Sequence, residues 1–146
     1  MIVLGVDLGG RRVGFAVSDE DERLAVTSGA ARVGSLDDAL AAVLEKAAAE
    51  RAELVVVGHP IAMNGRRGPK AREAALFAER LREGGVAAEL WDERLTTSAA
   101  ERRLRDAGLD RRRRKALIDE NAAQGILSSF LECRARRRER GGMGNA

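Results

Sequence analysis

Three carboxylates stand where the apolar pattern around them does not favour a charge. Asp7 interrupts the run IVLGVDLGG, Glu93 closes VAAELWDE, and Asp119 lies beside Ile118, Ala122 and Ala123 in KALIDENAAQGIL. A charge moved from water into an apolar setting loses hydration that nothing restores unless it is paired. If the three converge, two like charges about 4 Å apart repel by about 4 kcal/mol at an effective dielectric of 20. Such a cluster needs protons, cationic side chains or a divalent ion. An all-oxygen donor set suits Mg²⁺ or Mn²⁺ rather than zinc. A pair of such ions about 3.5–4 Å apart can activate water and stabilise the leaving oxygen in phosphodiester hydrolysis.

Each carboxylate also has a plainer use. Asp7 could cap a turn at Gly9-Gly10, Glu93 could pair with Arg94 or Arg12, and Asp119 could be a helix N-cap. Spacing alone leaves both sets of uses open. Asp92, next to Glu93, points to the opposite face of a strand and reads as structural.

Other chemistries find less support. Cys133 is the only cysteine, which excludes an intramolecular disulfide and a four-cysteine zinc site. No histidine lies near it in sequence for nucleophilic catalysis, so it reads as a buried structural thiol. His59 is the only histidine and has no second His or Cys motif beside it. Trp91 reads as core. Aromatic residues make up 3% of the chain and none is Tyr, which leaves little material for stacking nucleobases.

The net charge of +3 is unevenly spread. Residues 1–100 carry more acids than bases, and the positive excess lies in RRLRDAGLDRRRRK and RARRRER. Such blocks on an otherwise acidic body suit either a polyanion or a solvated surface.

These residues must be positioned by elements that the pattern also predicts. IVLGVDL and RVGFAVSD read as two strands joined by a Gly-containing turn, a hairpin. A third strand runs near Leu24 to Val33. Ser35 reads as the N-cap of a first helix whose Leu36, Leu40, Val43, Leu44 and Ala47 share one face. ELVVVG is a fourth strand, apolar throughout as in a sheet centre, and HPIAMNGRRGP is a loop. Pro69 opens a second helix that Gly84-Gly85 ends. VAAELWDE is a fifth strand. Ser98 and Glu101 fit a capping box for a third helix stopping near Gly108. A fourth helix after the arginine run carries Ile118, Ala122, Ile126 and Phe130. The order implies an α/β domain over residues 1–138, with a mixed five-stranded sheet flanked by helices. Residues 139–146 read as a disordered tail. With 146 residues, no apolar stretch of bilayer-spanning length and no signal-peptide pattern, the expectation is a soluble intracellular protein.

Together, GVDLGGRRVGFAVSD, VVVGHPIAMNGRRGP, WDERLTTSAAERRL and KALIDENAAQGIL resemble the YqgF/RuvX family of RNase H-like nucleases. The resemblance covers nearly all of residues 2–131, and DERLTT is its most specific part. It implies an RNase H-like fold, with Asp7, Glu93 and Asp119 at the acidic metal-binding, catalytic positions. It also implies Mg²⁺- or Mn²⁺-dependent cleavage of nucleic acid. The substrate class would be structured RNA, through maturation of the 5′ end of pre-16S ribosomal RNA in the cytoplasm, or branched DNA, through likeness to Holliday-junction resolvases. His59 departs from the Leu usual after the glycine of the fourth strand. A fourth acidic ligand, common in RuvC-type resolvases, has no clear match.

Charge and position nominate contacts to the phosphate backbone. These are Asn64, Arg66, Arg67 and Lys70 in the loop before the second helix, and Arg111, Arg112, Arg113, Arg114 and Lys115 beside the last one. Two other classes compete with a nuclease. Asp7-x-Gly9 with Gly14 also resembles the phosphate loop of sugar kinases and actin-like ATPases, which need a second domain that 146 residues do not accommodate. A non-catalytic nucleic-acid-binding module would use the basic blocks alone. A homodimer is compatible with the sequence, and junction resolution would require one.

Overall fold

In the computed structural model, a five-stranded sheet of order β3-β2-β1-β4-β5 lies between two layers of helices. The backbone is described for residues 1–144, and side chains throughout that span except at 97–101, 103, 115, 117–120 and 142–144. The elements are β1 (Val3–Leu8), β2 (Arg12–Ser18), β3 (Ala25–Arg32), α1 (Leu36–Ala49), β4 (Leu54–His59), α2 (Pro69–Glu83), β5 (Ala88–Asp92), α3 (Glu93–Asp106), α4 (Arg111–Glu120) and α5 (Ala122–Gly144). β1, β2 and β3 form an antiparallel meander, whereas β1, β4 and β5 run parallel.

The side-chain period of two sorts each strand between the two helical layers. Leu4, Val6, Val13, Phe15, Val55 and Val57 pack under α1 and α2, against residues such as Val43, Phe77 and Leu81. Val3, Ala16, Leu54 and Val56 face α5, meeting Ile126, Leu127 and Phe130. Both faces of β4 are covered, which is why its sequence is apolar throughout rather than alternating. On the α5 side, the sites that follow Val3 at intervals of two are Gly5 and Asp7. The same alternation that builds the core therefore delivers Asp7 to the α5 face.

Helix ends follow local chemistry. The Ser35 side chain accepts a hydrogen bond from the Asp38 amide at 3.1 Å, and the Gly34 amide donates to Asp38 Oδ2 at 3.0 Å. Pro69 opens α2 and Gly84 caps it, with Gly85 following at φ +87°. After α3, Gly108 at φ +80° closes the turn, its amide donating to Arg105 O and that of Leu109 to Leu104 O.

Several expectations are corrected. α3 begins at Glu93, directly on the end of β5, so Ser98 and Glu101 fall inside the helix rather than capping it. The cap is Asp92, whose Oδ1 accepts the Arg94 amide at 3.0 Å. The arginine run, expected to precede a helix, is itself the start of α4. Arginine is a good helix former, and Asp110 Oδ1 accepts the Arg113 amide at 2.8 Å. The expected last helix is therefore two, separated at Asn121, whose carbonyl receives the Gly125 amide at 3.0 Å. Asp119 lies within α4 and is not a helix N-cap. α5 runs from Ala122 to Gly144. Lastly, His59 ends β4 rather than starting a loop, and Cys133 is a half-buried free thiol rather than a fully buried one.

The α1/α2 layer should carry much of the stability. Phe77 is fully buried, and Phe77→Ala is expected to cost about 3–5 kcal/mol by urea denaturation, with an unchanged m-value.

Candidate nuclease site

Asp7 and Glu93 meet at the carboxyl-terminal edge of the parallel strands. Asp7 arrives on β1, and Glu93 is the first residue of α3, one step beyond β5. Gly58 on β4, between them in the sheet, makes this possible. A Cβ there would stand 3.1 Å from the Glu93 carboxyl carbon and 2.5 Å from Ile126 Cδ1. A side chain at 58 would push aside the Ile126 tip and the Glu93 carboxyl.

The electrostatics record the convergence. Burial, then the charge of Asp7, then that of Asp92, push the Glu93 carboxyl up from 4.5 to about 7, while Lys70 pulls the other way. Asp92 behaves oppositely: hydrogen bonds from Arg94 hold its carboxyl below the usual range. Arg94 Nε reaches both Asp92 oxygens at 3.1 and 3.0 Å and Nη2 reaches Oδ2 at 2.7 Å, the planar two-point grip of guanidinium on carboxylate. Of the two partners expected for Glu93, Arg94 thus commits that edge to Asp92. Arg12 instead lines the cleft onto which Asp7 opens.

Asp7 opens onto a cleft of about 340 Å³ that Arg12, Gly14, Thr27, Asn121 and Gln124 also line. The first residues of α5 form one wall, so the positive end of a long helix faces the carboxylate's surroundings. Gln124 is anchored there, donating from Nε2 to Ala25 O at 3.0 Å. Trp91 fixes the opposite side of α5, donating to Ser129 Oγ at 3.0 Å and meeting Phe130 edge-on at 5.6 Å.

The remaining predicted residues are distributed unevenly. The side chains of Asp119 and Lys115 lie outside the described residues. Lys70, in the first turn of α2, acts on Glu93 and shares a small recess with Gly9, Gly10 and Glu73. Asn64, Arg66 and Arg67 are exposed in the preceding loop, where Asn64 Oδ1 accepts the Arg66 amide at 3.0 Å and closes a turn. Arg111, Arg112 and Arg113 are exposed on α4. Arg114 is half-buried and donates to Leu109 O at 2.8 Å, so it braces the α3–α4 connection. Sequence reading did not single out Thr27, Asn121 or Gln124. Nothing marks them in sequence, because only the packing of α5 over β2 and β3 brings them to Asp7.

Helices on both faces of a mixed sheet, with two acidic side chains at its edge, place the chain among RNase H-like proteins. Thermus thermophilus RuvC shares this fold at a TM-score of 0.58 and 17% identity, with 92% of this chain and 96% of that one aligned. The family described as RuvX: Holliday junction resolvase matches residues 1–133, and the chain belongs to that family. Curated relatives carry the name "Putative pre-16S rRNA nuclease". The one from Myxococcus xanthus is 42% identical over 133 residues, covering 90% of this chain and 88% of the relative. The one from Anaeromyxobacter dehalogenans strain 2CP-1 is 46% identical over 138 residues, covering 92% and 99%.

The raised Glu93 carboxyl makes a signed prediction. Between about pH 4.5 and 7 the folded protein holds a proton that the unfolded chain has lost, so stability falls as pH rises through that window and levels off above it. The loss amounts to at most about 3 kcal/mol. In EDTA, Glu93→Gln should therefore be more stable than wild type at pH 8, by about 1–3 kcal/mol, with the gap closing at pH 4. Urea denaturation at the two pH values measures it, and an equal gap at both would show that the proton is not the cause.

Proposed function

We propose that this chain is a divalent-metal-dependent nuclease that processes the 5′ end of pre-16S ribosomal RNA in the cytoplasm, with Asp7, Glu93 and Asp119 as its acidic centre. The observation that carries the proposal is the crowding of Asp7 against Glu93, which leaves Glu93 protonated to about pH 7. A pair that must retain a proton has negative charge to spare for a cation. Its donors are all oxygen, and the donor set fits Mg²⁺ or Mn²⁺. Asp7 and Glu93 would hold the ion, and Asp119 reaches the trio through the family motif. A bound divalent ion there supplies Lewis acidity, easing ionisation of water and offsetting charge on a phosphodiester's leaving oxygen.

The chain's own groups do the rest. Gly58 leaves the room that Glu93 occupies, and the Asp92–Arg94 pair fixes the first turn of α3. Lys70 offsets negative charge beside Glu93, where the substrate phosphate adds more. Asn64, Arg66 and Arg67 before α2, and Arg111, Arg112 and Arg113 on α4, are exposed and suited to the flanking backbone, and Lys115 follows them in sequence. The names of the relatives favour precursor rRNA as substrate.

A second reading, resolution of branched DNA, draws on the family's description. It requires paired incisions and hence two sites acting together, as in a homodimer. The deciding experiment compares precursor 16S rRNA, single strands and four-way junctions with Mg²⁺ and with Mn²⁺. Cleavage of the precursor near the 16S 5′ end is expected, and symmetric cutting of junctions in preference to it would reverse the order. Asp7→Asn should lower cleavage by about 10²–10³ or more, the scale of losing a group that stabilises transition-state charge, while binding and folding persist. If that variant cuts as well as wild type, with contaminating nuclease excluded, the assignment is lost. Added Mg²⁺ should also raise the wild-type melting temperature, reaching about 2.7 kcal/mol of stabilisation at a hundred times its Kd, and Glu93→Gln should abolish most of that rise.

A further inference from the structure

Three arginines come together beside the Asp7 cleft, and none belongs to the basic blocks that the sequence displays. Arg12 opens β2 and Arg32 closes β3, and the antiparallel register sets them directly opposite each other. Arg11 precedes Arg12 in the turn, and its carbonyl accepts the Val33 amide at 3.0 Å, tying the end of β3 to this corner. All three are exposed and line one broad recess. Among the described residues, none of the three side chains makes an ion pair or hydrogen bond.

Like charges facing each other across a ladder are unfavourable, and two-stranded pairing normally selects opposite charges there. Charged residues also serve to guard sheet edges, and β3 is an edge. Edge protection accounts for one of the three at most, since Arg11 and Arg12 are not on β3. The arrangement is also held firmly. The Gly9 amide donates to Arg12 O at 2.7 Å, and a Cβ at Gly9 would come within 2.8 Å of that oxygen, so the turn presenting Arg11 and Arg12 closes only around glycine. Arg12 lines both the recess and the Asp7 cleft, which makes the two continuous.

We infer that Arg11, Arg12 and Arg32 form a phosphate track that receives the nucleic-acid backbone on the β2–β3 side of the acidic centre. The inference rests on the nuclease reading for its choice of polyanion. Guanidinium groups present planar forks matched to phosphate oxygens. Bound phosphodiesters convert the repulsion between Arg12 and Arg32 into a shared attraction. Arg12, adjoining Asp7, takes the phosphate nearest the reacting one, and Arg32 and Arg11 take the next. Lys70 and the loop before it flank the centre from the α2 side, so the track supplies the other half of the footprint.

The test measures binding of end-labelled single-stranded RNA and DNA of one sequence across a salt series. It uses wild type, Arg11→Gln/Arg12→Gln/Arg32→Gln, and the control Arg136→Gln/Arg137→Gln, whose positions lie about 20 Å along α5 from its start. The single variant Arg32→Gln, a neutral change at an exposed strand end, covers the case in which the triple variant does not fold. The triple variant is expected to bind both strands about tenfold to a hundredfold more weakly. Its slope of log K against log salt should flatten by about two, at roughly 0.7 per lost contact on single strands. Arg32→Gln should flatten it by about 0.7, and the control should change affinity less than threefold. An unchanged slope in the arginine variants, an equal loss in the control, or a loss confined to the RNA overturns the track. A wild-type chain that binds neither strand overturns the track and the nuclease reading together. Track variants behaving as expected, while Asp7→Asn cuts like wild type, remove the nuclease reading and leave the track standing.

Discussion

Two carboxylates, Asp7 and Glu93, are held near each other at a half-buried sheet edge, and the site depends on that constraint. Burial and then the charge of Asp7 raise the cost of ionising Glu93, pushing its carboxyl up to about 7. Such a pair cannot be placed by the carboxylates themselves, because they repel. It has to be imposed by packing elsewhere. The α1/α2 layer fixes β1 and β4, α5 clamps the opposite face, and the glycine at 58 leaves the room that the Glu93 carboxyl occupies. The apolar core is what makes the electrostatic conflict sustainable.

The surrounding cations are arranged so that they do not remove that conflict. A guanidinium paired directly with Glu93 would pull its carboxyl down and occupy the place of a bound cation. Arg94 is the nearest in sequence, yet its Nε and Nη2 grip Asp92. Asp92 thus has two structural uses, capping α3 and holding an arginine edge. The cation acting on Glu93 is Lys70, a compact ammonium on a long flexible stem. It tempers the charge without fixing a planar pair.

Much of this was legible in the sequence, for reasons that can be stated residue by residue. The five strands and the helices α1 and α2 follow from periodicity and from terminators with strong local chemistry: Ser35, Pro69 and Gly84-Gly85. The failures fall where local chemistry was ambiguous. Asp92 ends a strand and caps a helix in one step, with no turn residue between, so Ser98 and Glu101 offer a better-looking start six residues late. Asp110 before four arginines is a strong N-cap, but a run of like charge reads as a solvated surface whatever its backbone conformation. Arg11, Arg12 and Arg32 form no such run in sequence. Two of those are adjacent and the third is twenty residues on, and only the β2–β3 register makes them neighbours.

That contrast bears on how a basic protein handles a polyanion. Charge concentrated in sequence, as in α4 and the end of α5, gives a long-range field that gathers nucleic acid wherever it lies. It does not set register, because exposed arginines on a helix surface are free to meet any phosphate. Charge assembled by a sheet ladder is fewer in number but fixed in position, and here it adjoins the cleft that contains Asp7. A strand held at Arg12 and Arg32 reaches the acidic centre from one direction only. The same β1–β2 turn that ends the strand bearing Asp7 begins the strand bearing Arg12, closed by the short Gly9–Arg12 hydrogen bond. Any movement of the turn would shift carboxylate and guanidinium together, so the distance between the acidic centre and the neighbouring phosphate is built into four residues of backbone.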